Sequence, residues 1–217
     1  MAEAVTYIGF VQDHSGSMIR NVKTAMDNFN EQRAKLLKED DETMDNLITI
    51  VEFDDEIHCN VENMPIKEVK KLDSWWTGGM TALYDAIAFC INNIREKIDN
   101  DPRENKAALI IIQTDGAENQ STDYAGEEGR KKIKSMLDEL DATDHWSVVF
   151  LGENIDKKVA MDLGVVADNI MSHKSNETIY AYASTTSGLD TYMKARKRGA
   201  TKTSCFYKDI VIDKDDN

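Results

Sequence analysis

The chain has few of the residues that mark secreted, disordered or membrane-spanning proteins. Its three cysteines, among 217 residues, are odd in number and show none of the spacings typical of metal sites, which predicts a reducing, cytoplasmic location. Only two prolines occur, which argues against a disordered chain. No stretch approaches the ~20 consecutive apolar residues that a membrane span needs. The first residues also lack the basic region of a signal peptide.

Positive charge is scarce as well. The chain has 26 Lys and Arg against 40 Asp and Glu, a formal net charge of −14. Because nucleic-acid binding depends on cations that displace counterions from phosphates, this balance disfavours direct contact with nucleic acid. An acidic surface attracts cations instead. The length, with 41% hydrophobic residues, suits one domain or one domain with a short appendage.

Strand-like and helix-like apolar patterns alternate along the chain. The predicted strands are Val5–Val11, Leu47–Phe53, Ile57–Val61, Ala107–Gln113, Ser147–Leu151 and Asn169–Met171. The predicted helices are Ile19–Lys38, Ala82–Ile98, Tyr124–Leu140, Lys157–Leu163 and Glu177–Lys197, with a short helix or turn over Ile66–Leu72. The second and third strands are close enough in sequence to form an antiparallel hairpin. The pattern therefore predicts a doubly wound, mostly parallel α/β sheet with one antiparallel edge strand and helices on both faces.

Oxygen-bearing side chains cluster where two of these strands end. Asp13, Ser15 and Ser17 follow the first strand, and Asp115 follows the fourth in Thr114-Asp-Gly-Ala-Glu-Asn119. Thr81 begins the second long helix, after two glycines that permit a tight turn. Ligands of such sheets bind beyond the carboxyl ends of the strands, and hard cations prefer oxygen ligands. The sequence therefore predicts that these side chains converge on one metal ion.

These motifs together resemble the metal-ion-dependent adhesion site (MIDAS) of the von Willebrand factor A (vWA) domain. More narrowly, the chain is similar to bacterial and phage cytoplasmic vWA proteins of the tellurite-resistance-associated type. The resemblance covers residues from about 4 to 172 and implies a Rossmann-like vWA domain over residues 1–175. Residues 176–217 depart from the family pattern and are predicted to form a C-terminal helix and a strand-like tail that pack on the same domain. The resemblance also implies Mg²⁺ or Mn²⁺, with Ca²⁺ as a further candidate, held by Asp13, Ser15, Ser17, Thr81 and Asp115. A partner protein would then supply an Asp or Glu to the ion, without enzymatic activity.

Other interpretations of the same residues stay open. Asp13, Ser15 or Ser17 could cap the first helix, Thr81 could cap the second, and Asp115-Gly116 could be an ordinary turn. A Mg²⁺-dependent phosphohydrolase with Asp13 as nucleophile is an alternative, although neither a second acid two residues later nor a phosphate-binding loop is present. A further alternative is a structural component of a phage or other assembly whose metal site has no function. The sequence also leaves oligomerisation open, and it indicates no membrane contact.

Several further features have a structural and a functional interpretation. Trp75 and Trp76 either pack the loop before Thr81 or form an aromatic anchor beside the metal. His14 is expected at the rim of the site. The acidic run at residues 54–56 and the Glu153-Asn154 pair either face solvent or line the crevice. A basic cluster near the C-terminus either complements a helix dipole, with Gly199 as its cap, or contacts acidic groups of a partner or of the protein itself. It comprises Lys194, Arg196, Lys197, Arg198 and Lys202. Ser204–Ile212 is predicted to form a terminal strand.

Overall fold

The computed structural model describes residues 2–208. Six strands form one sheet in the order β3-β2-β1-β4-β5-β6. The strands are β1 (Ala4–Asp13), β2 (Met44–Phe53), β3 (Ile57–Pro65), β4 (Asn105–Thr114), β5 (Trp146–Glu153) and β6 (Ile170–His173). All neighbouring pairs are parallel except β2 and β3, which form the predicted hairpin. The predicted fold class is therefore confirmed.

Helices cover both faces of the sheet, because each face presents an almost continuous apolar surface. The helices are α1 (Val22–Glu39), α2 (Leu83–Asn100), α3 (Gly126–Asp141), α4 (Lys157–Asp162) and α5 (Thr178–Arg196). The core on one face includes Ile87 and Ile91 of α2 and Ile133 of α3, whereas the core on the other includes Phe29 of α1 and Leu189 of α5. Within residues 2–208, no helix combines the length and apolar character that crossing a bilayer requires.

The structure differs from the sequence prediction at two places. The first helix is preceded by a separate 3-10 helix over Gly16–Arg20, and Asn21 divides the two. Over Ile66–Leu72, where a short helix or a turn is predicted, residues 66–68 form a turn. Residues 204–208 form a bend and a turn, so the predicted terminal strand is wrong over that part. The rest of Ser204–Ile212 lies outside the described residues.

The order of the strands places a crevice between β1 and β4. The chain proceeds outward from β1 through β2 to β3, and from β4 through β5 to β6 on the other side. At such a reversal the loops that follow neighbouring strands diverge to opposite faces, which opens space at the carboxyl end of the sheet. Asp13 ends β1 and Thr114 ends β4, so both strands deliver polar side chains to this opening.

Candidate metal centre

Asp13 lies at the base of the crevice. Its side chain is completely buried, because it closes β1 between β2 and β4. One carboxylate oxygen accepts a hydrogen bond from the backbone N–H of Ser15 at 2.7 Å, and the other accepts one from the Thr114 hydroxyl at 2.5 Å. Burial raises the pKa of Asp13, and the hydrogen bonds oppose the shift. Asp13 is thus an oriented carboxylate whose charge a nearby cation would stabilise.

The two serines connect Asp13 to Asp115. The hydroxyl oxygens of Ser15 and Ser17 are 3.1 Å apart, and the Ser17 hydroxyl donates to Oδ1 of Asp115 at 2.5 Å. Burial raises the pKa of Asp115 too, and the nearby Glu153 carboxylate adds to the shift. The loops after β1 and β4 therefore meet through their oxygen atoms, as the sequence predicts.

Thr81 completes the group from the loop before α2. A Cβ atom at Gly116 would lie 3.3 Å from the Thr81 hydroxyl oxygen and 3.9 Å from that of Ser17, so both oxygens border the space beside this glycine. The backbone N–H of Thr81 donates to the Asn119 side chain at 2.9 Å, and the Thr81 carbonyl accepts from the Asn119 backbone at 3.1 Å. The structure therefore brings all five predicted metal ligands to one crevice.

Helix capping does not explain these residues. The position before the 3-10 helix is Ser15, that before α1 is Asn21 and that before α2 is Ala82. None of the three makes a side-chain capping hydrogen bond. The Thr81 side chain is only 3% exposed, although it caps no helix. The capping interpretation of these residues is therefore wrong.

The donor set fits a hard divalent cation. It consists of two carboxylates and three hydroxyls, with no nitrogen or sulfur, and Mg²⁺ or Mn²⁺ prefers such ligands. Both carboxylates are desolvated, and no basic side chain contributes to the pKa shift of Asp13. A side chain at position 116 would crowd the Thr81 hydroxyl, so the glycine keeps this space open. Within the described part of the chain, no group of three or more His, Cys, Asp or Glu residues is arranged to hold a metal.

An aromatic stack supports the turn that carries the serines. The His14 ring lies 4.2 Å from the Trp75 ring in a parallel stack and 4.5 Å from the Trp76 ring. His14 is 1% exposed, so its predicted position at the rim is wrong. Trp75 is also buried, which supports the packing interpretation for this residue, whereas Trp76 remains 39% exposed. The loop before Thr81 is thereby attached to the turn after Asp13.

A glycine explains the close approach of the acidic hairpin to this loop. Gly79 has a φ of +60°, and a Cβ there would lie 1.8 Å from a carboxylate oxygen of Asp55 and 2.8 Å from one of Asp54. Gly79 also accepts a hydrogen bond from the Gly16 backbone at 3.4 Å. Asp54 and Asp55 therefore pack beside the loop that carries Thr81 and are not remote from the crevice.

Glu153 borders the crevice from β5. One of its oxygens accepts hydrogen bonds from the side chains of Asn21 at 2.8 Å and Thr178 at 3.0 Å. These bonds connect the ends of β5, α1 and α5. The neighbouring Asn154 adopts a positive φ of 55° and donates to Ser175 at 2.9 Å. Glu153 thus shapes the edge of the site through hydrogen bonds.

Three supporting residues had no role in the sequence prediction. Thr114 binds Asp13, Asn119 binds both backbone groups of Thr81, and the Glu118 carboxylate accepts from the backbone N–H of Tyr84 at 2.8 Å. All three lie in the segment Thr114–Asn119, which the sequence had already singled out for Asp115 alone. The feature of the sequence that points to them is their position close to the predicted ligand Asp115.

The basic cluster near the C-terminus contacts the protein's own acceptors. Arg196 is 1% exposed and donates to the Thr6 hydroxyl, the Val5 carbonyl and the Asn105 side chain. Ion pairs join Lys194 to Asp190, Lys197 to Glu39 and Asp41, and Lys202 to Asp141. Gly199 has a φ of +91° and bonds the Arg196 carbonyl, as expected of a residue that ends a helix.

No protein-family model and no curated protein matches the chain. Solved structures do. Proximal thread matrix protein 1 from the mussel byssus matches at a TM-score of 0.52 and 16% identity, over 90% of this chain and 46% of that one. A von Willebrand factor type A structure from Catenulispora acidiphila matches at a TM-score of 0.56 and 15% identity, over 87% of this chain and 43% of that one. The pilus adhesin SpaC from Lactobacillus rhamnosus GG matches at a TM-score of 0.63 and 12% identity, over 91% of this chain and 30% of that one.

These similarities show the fold. The chain has the Rossmann-like vWA α/β fold, and it spans less than half the length of each of these three structures. One structure of the mussel protein is described as having a zinc-occupied MIDAS motif.

Proposed function

We propose that this protein is a metal-dependent protein-binding or scaffold module. Asp13, Ser15, Ser17, Thr81 and Asp115 would hold Mg²⁺ or Mn²⁺ as a MIDAS, and a carboxylate of a partner protein would complete the coordination. The bound ion would supply a positive, electrophilic centre at the carboxyl end of the sheet. The observation that carries this proposal is the convergence of these five side chains around desolvated carboxylates.

The residues of the chain have distinct parts in this proposal. The serine and threonine hydroxyls would bind the ion as neutral donors, whereas Asp13 and Asp115 would balance its charge. Because only two carboxylates are present, the ion would keep affinity for a further anionic ligand. The zinc-occupied motif reported for the mussel protein supports a divalent cation at this position of the fold. A cytoplasmic location and the narrower relationship to tellurite-resistance-associated proteins remain part of the proposal.

We propose that Asp13 balances the charge of the ion and is not the nucleophile of a phosphohydrolase. Its side chain is fully buried, and both its oxygens accept hydrogen bonds from the chain itself. A nucleophilic carboxylate needs an oxygen that faces the substrate. We therefore propose a role without catalysis. Mg²⁺-dependent binding of a peptide that carries a carboxylate would separate this role from that of a metal site without a function.

Thermal unfolding with and without metal tests the proposal. We expect Mg²⁺ or Mn²⁺ to stabilise the wild type, by about 2.7 kcal/mol at a hundredfold excess over the dissociation constant. Thr81→Val keeps the shape of the side chain but removes its hydroxyl, so this variant should lose most of the metal-induced shift. Thr24→Val, on α1 and outside the three loops, is the matched control and should keep it. No shift in the wild type with any of Mg²⁺, Mn²⁺, Zn²⁺ and Ca²⁺ would contradict the proposal.

A further inference from the structure

Three of the segments around the candidate metal centre carry no charged residue. Residues 14–19, 74–84 and 116–117, which we call the uncharged collar, contain no Lys, Arg, Asp or Glu. In the chain as a whole 30% of residues are charged, and the formal net charge is −14. Acidic residues stand beside the collar at Asp54, Asp55, Asp73, Asp85 and Glu118, and Arg20 directly follows its first segment. The metal centre would therefore open onto an uncharged patch with a mostly acidic surround.

The collar also exposes large apolar side chains. Ile19 is 68% exposed, Met80 is 48% exposed and Trp76 is 39% exposed. The large hydrophobic residues exposed elsewhere in the described chain are Phe89, Val159, Met161 and Ile179. Exposed apolar side chains that form a patch with a polar rim are typical of interaction sites on soluble proteins. The collar is thus a candidate contact surface.

Local contacts hold these three side chains close to the proposed ligands. The Trp76 ring lies 4.5 Å from the ring of His14, the neighbour of Asp13, at a tilt of 46°, and Met80 directly precedes Thr81. Gly16 and Gly78 donate backbone hydrogen bonds to Gly79 and His14, which join the two loops. Ile19 lies in the same 3-10 helix as Ser17. An apolar group beside a metal-bound carboxylate would reach these side chains, because they flank the centre within the same loops.

We propose that the collar selects a protein partner in which one Asp or Glu stands between large apolar residues. This inference rests on the proposed function, because the metal must bind the carboxylate. The single carboxylate complements the ion, and its apolar neighbours complement Ile19, Trp76 and Met80. A run of acidic residues would instead extend beyond the collar to Asp73, Asp85 and Glu118, where like charges repel it.

The test uses a synthetic peptide library with a fixed central Asp and randomised flanking positions. The full chain is screened against it in excess Mg²⁺ and again in EDTA. We expect Mg²⁺-dependent binders to be enriched in Leu, Phe, Met and Trp next to the Asp. Resynthesised peptides with apolar flanks should bind about tenfold more tightly than those with acidic flanks, a ratio that corresponds to about 1.4 kcal/mol. Equal binding of both kinds, or tighter binding with acidic flanks, would overturn the inference.

Two variants assign the preference to the collar. Ile19→Ser with Met80→Ser leaves Trp76 on His14 and should bring the tenfold ratio close to one. The control replaces Phe89, Val159 and Met161, which are exposed to similar extents outside the collar, with Ser and should keep the ratio. An unchanged preference in the Ile19/Met80 variant would overturn the collar's role.

The metal-induced melting shift separates the two levels of the proposal. A wild type with the shift but no preference for apolar flanks refutes the collar and leaves the metal centre intact. A wild type without the shift refutes the proposed function and the collar with it.

Discussion

The two ends of the sheet treat their buried charged groups in opposite ways. At the amino end, Arg103 donates to Asp101 and Asp45, and the buried Arg196 donates to acceptors on β1 and β4. At the carboxyl end, Asp13 and Asp115 accept hydrogen bonds from hydroxyl and backbone groups, and burial raises the pKa of both. At the amino end Asp101 is therefore paired with a guanidinium, whereas at the carboxyl end Asp13 and Asp115 accept hydrogen bonds from neutral donors and Arg20 acts on Asp115 only at a distance.

This difference separates stabilising from functional charge. Arg103 lowers the pKa of Asp101, so that carboxylate stabilises the folded state when it is ionised. Burial and Asp101 also raise the pKa of Tyr7 to about 12, which keeps its hydroxyl a donor. A carboxylate with a raised pKa instead destabilises the folded state when it is ionised, because the fold disfavours its charged form. A titratable group is a candidate for a functional site when its pKa is shifted and no ion-pair partner within the chain offsets the shift.

The largest effect is expected at the amino end from Arg196→Met. The substitution leaves the Val5 carbonyl and the acceptors of Thr6 and Asn105 without their buried donor. We expect a loss of about 3–5 kcal/mol in the free energy of unfolding, measured by urea denaturation. Arg198→Met, on the exposed surface beside it, is the control and should change stability by less than about 0.5 kcal/mol. A similar loss in both variants would contradict the role assigned to the buried guanidinium.

Asp101→Asn should have a smaller effect that depends on pH. Because the folded-state pKa of Asp101 lies below the ordinary value of 3.8, its contribution is complete above that value and disappears as the pH falls through the folded-state pKa. We expect a loss of about 2–3 kcal/mol at pH 7 that shrinks toward zero in strong acid, measured by denaturation across pH. Asp99→Asn on the exposed surface should show no such trend. A loss independent of pH would show that ionisation is not its cause.

Asp115→Asn should have the smallest effect on stability, which sharpens the contrast between the two ends. In EDTA the amide can still accept from Ser17 and avoids the cost of a desolvated charge. We therefore expect the unfolding free energy to stay within about 1 kcal/mol of the wild type or to rise. The metal-induced shift should disappear in the same variant. Asp123→Asn, on the exposed loop after β4, should keep it. A large loss of stability in EDTA would place Asp115 with the structural charges of the amino end.

Periodicity was sufficient to predict the sheet. The run Ala107–Gln113 was predicted as a strand buried on both faces, and β4 occupies the centre of the sheet beside β1. The short spacing between β2 and β3 predicted the one antiparallel pair. Four of the five predicted ligands meet because the parallel strands β1 and β4 deliver their carboxyl ends to one edge. Local pattern and fold agree here, so the sequence was informative.

Contacts between distant segments were not predictable in the same way. His14 is polar and is predicted at the rim of the site, yet Trp75 buries it from a loop about 60 residues away. Arg196 belongs to an apparently solvent-facing basic cluster, but α5 directs it beneath β1 and β4. Such burial depends on which elements pack together, and no local pattern encodes that choice.

The sequence by itself determined the alternation of strands and helices, the acidic balance and the oxygen-bearing residues at two strand ends, because each is a local property of the chain. Only the tertiary structure decided that Thr81 joins Ser17 beside Gly116, that Asn119 holds Thr81 in place, and that Ile19, Trp76 and Met80 remain exposed in the segments that carry the proposed ligands. These relationships arise when loops far apart in sequence are brought together by the pairing of β1 with β4, and the free energy of that pairing comes from the buried core beneath them.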